Sequence, residues 1–92
     1  MFDPVKEPRH YAGDGTTTCK VAMKSMMNGV RTFIADREEV SYEFVPPMVF
    51  YWWGCAFKYI WRWPRKNGLQ DIDKAIECLT EMRKEIEPYE KG

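Results

Sequence analysis

The sequence predicts a mainly α-helical fold: a small helical domain with an extended N-terminal arm and a short β-hairpin, assembled as a homo-oligomer. Three observations predict it. Leu69, Ile72, Ile76, Leu79, Met82 and Ile86 recur at steps of three and four, one apolar seam along a helix. The segment from Met48 to Trp63, opened by Pro46-Pro47 and closed by Pro64, is apolar on nearly every side. A chain of 92 residues makes one domain, and at that size it buries only about 60–65% of its unfolded surface. That is too little to wrap such a helix, so a second copy is expected at its face; a tightly wrapped monomer is the alternative.

The elements follow in order. Pro4, Pro8, Gly13 and Gly15 make residues 1–15 an extended arm ending in a turn. Thr16, Thr17 and Thr18 offer N-caps for a helix over 16–27, with Val21, Met23, Met26 and Met27 apolar and Asn28-Gly29 as its stop. Val30, Thr32 and Ile34, then Val40, Tyr42 and Phe44, alternate with other residues on either side of Asp36-Arg37-Glu38-Glu39, which favours a hairpin over 30–45. The acidic stretch between them suits a short helix as well. The aromatic helix covers 48–63, and Arg65-Lys66-Asn67-Gly68 turns the chain into an amphipathic helix over 69–87, ended by Pro88. Glu77, Glu81 and Glu85 form its solvent side.

Composition narrows the function. Fourteen bases balance fourteen acids and 45% of the residues are hydrophobic, which excludes a disordered tail, a collagen-like repeat and a polycationic coat for long nucleic acid. Cys19, Cys55 and Cys78 form no CxxC pair, so neither a disulfide framework nor a metal site is expected, and a reducing compartment is. The N-terminus lacks the basic start and apolar run of a secretory signal. The most apolar stretch, Met48 to Phe57, is half the roughly 20 residues a membrane span needs. A soluble intracellular protein without a membrane partner is expected.

The zero net charge is unevenly distributed. Residues 44–70 hold no acid and four bases, Lys58, Arg62, Arg65 and Lys66, and all four tryptophans lie there, between Trp52 and Trp63. Interleaved cations and aromatic rings hold phosphates and stack nucleobases; a basic helix end complementing its own dipole is the plainer reading. Lys58 and Arg62 are four apart and share a helix face. Gly54, one turn earlier, leaves that face open to a ligand or another backbone. Arg62 is suited to bidentate phosphate binding, with the lysines as point charges, unless Asp71 or Asp73 neutralises it. His10, the only histidine, and Tyr11 beside it are candidates to reach the ligand from the arm, His10 as acid, base or donor. Gly13-Asp14-Gly15-Thr16-Thr17 precedes a helix and offers amides to a phosphate, yet no Walker-type loop, GxSxG or HExxH is present.

Pro8-Arg9-His10-Tyr11, Lys58-Tyr59-Ile60-Trp61-Arg62, and Lys66-Asn67-Gly68 with Asp71 and Lys74-Ala75 resemble a family of small phage proteins. That family was long a domain of unknown function, called in places SaV-like or phage nucleotide kinase. Its pattern is P-x-H-Y, K-Y-x-W-R, a basic turn, K-N-G-x-x-D and K-A. The resemblance implies a helical, oligomeric phage protein that handles nucleotides in the cytoplasm of the infected bacterium. Residue by residue it points to His10, Tyr11, Lys58, Arg62, Lys66 and Asn67; Arg65 joins them from the charge pattern. Two departures stand out. A glutamate usual a few residues past H-Y is replaced by the threonine run ending at Thr18, and residues 30–45 resemble an insertion.

Two nucleotide readings follow. A nucleoside monophosphate kinase would use ATP and magnesium, with cations neutralising the transferred phosphoryl and His10 as catalytic candidate. A sponge that sequesters a nucleotide, such as a cyclic signal of a bacterial defence system, needs no cofactor and no catalytic acid. A third reading, a protein-binding inhibitor acting through the aromatic patch, predicts no small ligand.

Overall fold

The computed structural model describes residues 11–36 and 41–89, and these fold as three helices with one small antiparallel sheet. Helix α1 spans Cys19–Met27; strands β1, Thr32–Asp36, and β2, Ser41–Phe44, form the hairpin; α2 spans Pro47–Arg62 and α3 spans Leu69–Ile86. Single 3₁₀ turns, Trp63–Arg65 and Glu87–Tyr89, follow α2 and α3. The start of the expected arm, residues 1–10, lies outside the described residues, as does the hairpin tip at 37–40.

Local chemistry sets these boundaries. Thr18 caps α1, its hydroxyl accepting from the Val21 amide at 3.2 Å, so the helix begins at Cys19 rather than at Thr16. Pro47 occupies the first turn of α2, where its missing N–H costs no helical bond. Pro64 cannot donate to the Ile60 carbonyl, so α2 closes at Arg62 and the chain tightens into the 3₁₀ turn. Gly68 adopts φ +57 and ψ −125 at the entry to α3, a left-handed conformation that side chains resist. In the hairpin Thr32 pairs with Phe44 and Ile34 with Tyr42, and a bulge between Ile34 and Asp36 shifts the register.

The described interior is small and made of small residues. Ala12, Cys19, Val49, Ala56, Ala75 and Cys78 are the buried apolar side chains, while Trp52, Trp53, Phe57 and Trp61 are half-buried. The Cα radius of gyration is 15.4 Å with extents of 46 × 28 × 19 Å, against about 12 Å for a compact chain of this length. No helix among the described residues is long and apolar enough to cross a membrane.

Among the described helices, α1 and α3 both pack on α2. Toward α1, Gly54 lets the helices approach: a Cβ there would lie 3.5 Å from the Met23 sulfur and 3.6 Å from Met27 Cε. The gap expected to admit a ligand is thus occupied by two methionines. Both contacts are ordinary van der Waals distances against flexible side-chain ends, and glycine inside a helix costs about 0.5–1 kcal/mol relative to alanine. Gly54→Ala is expected to raise the melting temperature by a few degrees in a thermal scan; a lower value would mean that α1 sits closer than this.

On the other side α2 packs along α3, with a correction to the expected seam. Asp71, Ala75 and Cys78 are the buried residues of α3, whereas Leu69 is 80% exposed, Ile76 57% and Leu79 45%. Two features turn the helix this way. Small residues at 75 and 78 permit close packing, and Asp71 must face Arg62 on α2. Met82 is half-buried and belongs to both faces.

Candidate functional site

Tyr11, Arg62, Asn67 and Asp71 meet at one end of the α2–α3 pair. Arg62, the last residue of α2, is buried despite its charge. Its Nε and Nη2 donate to the two carboxylate oxygens of Asp71 at 3.2 and 3.0 Å, a bidentate pair. Nη1 donates to the Tyr11 hydroxyl at 2.9 Å. The backbone and side-chain nitrogens of Asn67 approach the same carboxylate at 3.3 and 3.4 Å, so the turn between the helices is tied to the ion pair it encloses. Burial alone would raise the Asp71 carboxyl, but the Arg62 and Asn67 hydrogen bonds outweigh it and hold the group below the usual carboxylate range. Burial likewise opposes the Arg62 charge, and Asp71 and Tyr11 overcome it.

The loop before α1 is fastened to the same knot. Trp61 Nε1 donates to the Tyr11 carbonyl at 2.9 Å, and Gly13, at φ +62, lies on the Trp61 ring so closely that a Cβ would stand 2.8 Å from Cζ2. The glycine–threonine stretch is closed on itself: Asp14 Oδ1 accepts from the Thr16 amide at 2.9 Å and hydroxyl at 2.6 Å. A carboxylate therefore sits where the sequence suggested a phosphate, and those hydrogen bonds lower the Asp14 pKa.

The four cations of the aromatic segment consequently separate. Arg62 points inward, and Arg65 and Lys66 are exposed in the turn. Lys58 lies along Tyr59, its Nζ 5.0 Å from the ring centroid. Lys74 of α3 reaches the same ring at 5.6 Å and Arg62 Cζ at 4.7 Å, each within the range at which the ring quadrupole attracts a cation. Among the described residues Arg62 alone of the three has a carboxylate partner in an ion pair. His10 lies outside the described residues.

Beside Tyr59 an open groove of about 250 Å³ runs between the helices, lined by Tyr51, Trp52, Cys55 and Tyr59 from α2 and by Lys74, Glu77 and Cys78 from α3. Tyr51 and Trp52 meet edge to face, centroids 4.9 Å apart. The Cys55 thiol raises the pKa of the Tyr51 phenol beside it. Burial pushes the Cys78 thiol up, with Cys55 adjoining it; Lys74 and Glu77 are the charged residues of the lining. All three cysteines are free.

Of the sequence-predicted residues, Tyr11, Arg62 and Asn67 are brought together, around Asp71. Lys58 shares the Tyr59 ring with Lys74 but does not line the groove, and neither do Arg65 and Lys66. Lys74, Tyr51 and Trp52 are groove residues that the cation count missed. Their signal was positional: Tyr51, Cys55 and Tyr59 fall at steps of four along one face of α2. Among the described residues no group of three or more histidines, cysteines or carboxylates is placed to hold a metal ion. No family model, curated protein or solved structure matches the chain.

Proposed function

We propose that the α2–α3 groove binds a mononucleotide, with Lys58 and Lys74 holding the phosphate and Tyr51 and Trp52 contacting the base. The carrying observation is the pair of lysines at the Tyr59 ring, beside an aromatic groove and without carboxylate partners in the described ion pairs. Each is a point charge suited to a phosphate oxygen, and Glu77 at the rim can accept from a base amine or ribose hydroxyl. A volume of about 250 Å³ is slightly below the roughly 300–1,000 Å³ usual for small-molecule sites, which suits one base and its phosphate better than a dinucleotide.

The geometry favours holding over phosphoryl transfer. The guanidinium best suited to a transferred phosphoryl is already paired with Asp71, and moving it would leave a carboxylate buried without its partner. Within a phage-infected bacterium such a protein would act as a nucleotide sponge needing neither ATP nor magnesium. The test is a panel of nucleosides, nucleoside monophosphates and cyclic nucleotides incubated with protein, magnesium and ATP, followed by heat release and chromatography. The reading expects one phosphorylated species to be depleted and returned unchanged while its parent nucleoside stays in solution. Diphosphate accumulating with time would replace the sponge with a kinase, and no depletion would remove both.

A further inference from the structure

We propose that α3 pairs antiparallel with α3 of a second copy of this chain, through the seam of Leu69, Ile72, Ile76 and Leu79. These residues, continued by Arg83 and Ile86, follow steps of 3, 4, 3, 4 and 3, the a/d pattern of helices that pack knobs into holes. The seam runs about 25 Å along the helix, and Leu69, Ile76 and Leu79 stand in solvent. The occupant that fits such a pattern is another helix of matching repeat.

Charge selects both the partner and its direction. Arg83 is the single polar interruption of the seam. In a parallel pair it would face Arg83 of the second copy across the interface. An antiparallel pair with its two-fold axis between Ile76 and Leu79 places Ile76 against Leu79 of the second copy and Leu69 against Ile86 of the second copy. Arg83 then falls beside Ile72 and Asp73 of the second copy, and the symmetry makes that contact twice. Arg83 now bonds Glu87 at 3.2 Å, with the two side chains 82% and 57% exposed. An exposed pair of this kind contributes little and is readily exchanged. Lys74 and Ile76 lie on opposite flanks of α3, about 200° apart, so the pairing leaves the groove open.

Sedimentation equilibrium of the full chain at micromolar concentration, with far-UV circular dichroism as the control for folding, tests the pairing. The wild type is expected at twice the 11.0 kDa chain mass. Ile76→Glu is expected to weaken association more than about tenfold, since a carboxylate would enter an apolar seam, while the helical signal persists because Ile76 touches solvent in one copy. Arg83→Glu is expected to weaken it too, and Asp73→Lys added to Arg83→Glu to restore it. A wild type at 11.0 kDa, with the seam bare or covered by another segment of the same chain, overturns the proposal. So does association indifferent to Ile76→Glu, and failure of the double charge exchange overturns the antiparallel direction.

Discussion

Asp71→Asn is expected to lower the melting temperature at pH 7 by more than about 10 °C. Removing one member of a buried, hydrogen-bonded ion pair costs about 3–5 kcal/mol, because the remaining charge is left in the interior without a partner. In a domain of this size each kcal/mol shifts the midpoint by about 4–8 °C. Arg62 would keep the Tyr11 hydroxyl but lose the carboxylate that satisfies its Nε and Nη2. The pH dependence carries the same signature. The Asp71 pKa is depressed in the folded state, so the stability it confers is complete above the unfolded value of about 4 and is lost as pH falls through the folded one. Wild type and Asp71→Asn should therefore diverge at neutral pH and converge in acid. The double replacement Arg62→Met with Asp71→Leu should recover much of the loss, as apolar pairs of similar volume do. A single variant melting within about 2 °C of the wild type would mean that the pair is not the clamp described here.

Trp61→Ala is expected to cost about 3 kcal/mol, the low end for deleting a large aromatic side chain, since Trp61 is half-buried. More diagnostic is where the damage falls. The indole carries the Tyr11 carbonyl on Nε1, lies against Gly13 and stands 5.8 Å from the Phe57 ring, centroid to centroid. Removing it should free residues 11–18, seen as faster hydrogen exchange of the Gly15 amide, which donates to the Ala12 carbonyl at 3.0 Å. Gly13→Ala should produce the same local release from the opposite side, its Cβ colliding with the intact ring. Trp61→Phe keeps the ring and loses one hydrogen bond, about 1 kcal/mol. Protection unchanged in Trp61→Ala would detach the loop from the knot.

Much of this architecture is legible in the residues. Proline at 47 and 64, glycine at 68 and the threonine before Cys19 mark element ends for local reasons, and local reasons survive folding. The hairpin over 30–45 was also readable, with β1 shifted two residues toward the tip from the alternating run and β2 one residue shorter than its run. The facing of α3 was not. Apolar periodicity names Leu69, Ile76 and Leu79 as core; Asp71 was readable as a candidate partner for Arg62, but not as the start of the buried stripe with Ala75 and Cys78. That stripe becomes visible only once Arg62 requires a partner, and a buried charge decides orientation more strongly than an available apolar face. The cations of the aromatic segment are likewise sorted by contacts that sequence order does not show. Counting bases along a segment says which charges are near in sequence, whereas Arg62 and Lys74 are sorted by the helix opposite. Tyr11, Tyr59, Trp61, Arg62, Asn67 and Asp71 form one connected network, with Ala75 giving the helices room to close.

Two lysines acting together at the Tyr59 ring are the centre of the functional account, and Arg62 supports the fold beneath them. Calorimetric titration of the nucleotide that the panel shows to be retained into wild type and into Lys58→Ala with Lys74→Ala tests this most directly. The account predicts that the double variant melts as the wild type does and binds at least about tenfold more weakly, a loss of about 1.4 kcal/mol or more. Affinity unchanged in a folded double variant would contradict it and move the ligand away from the α2–α3 groove.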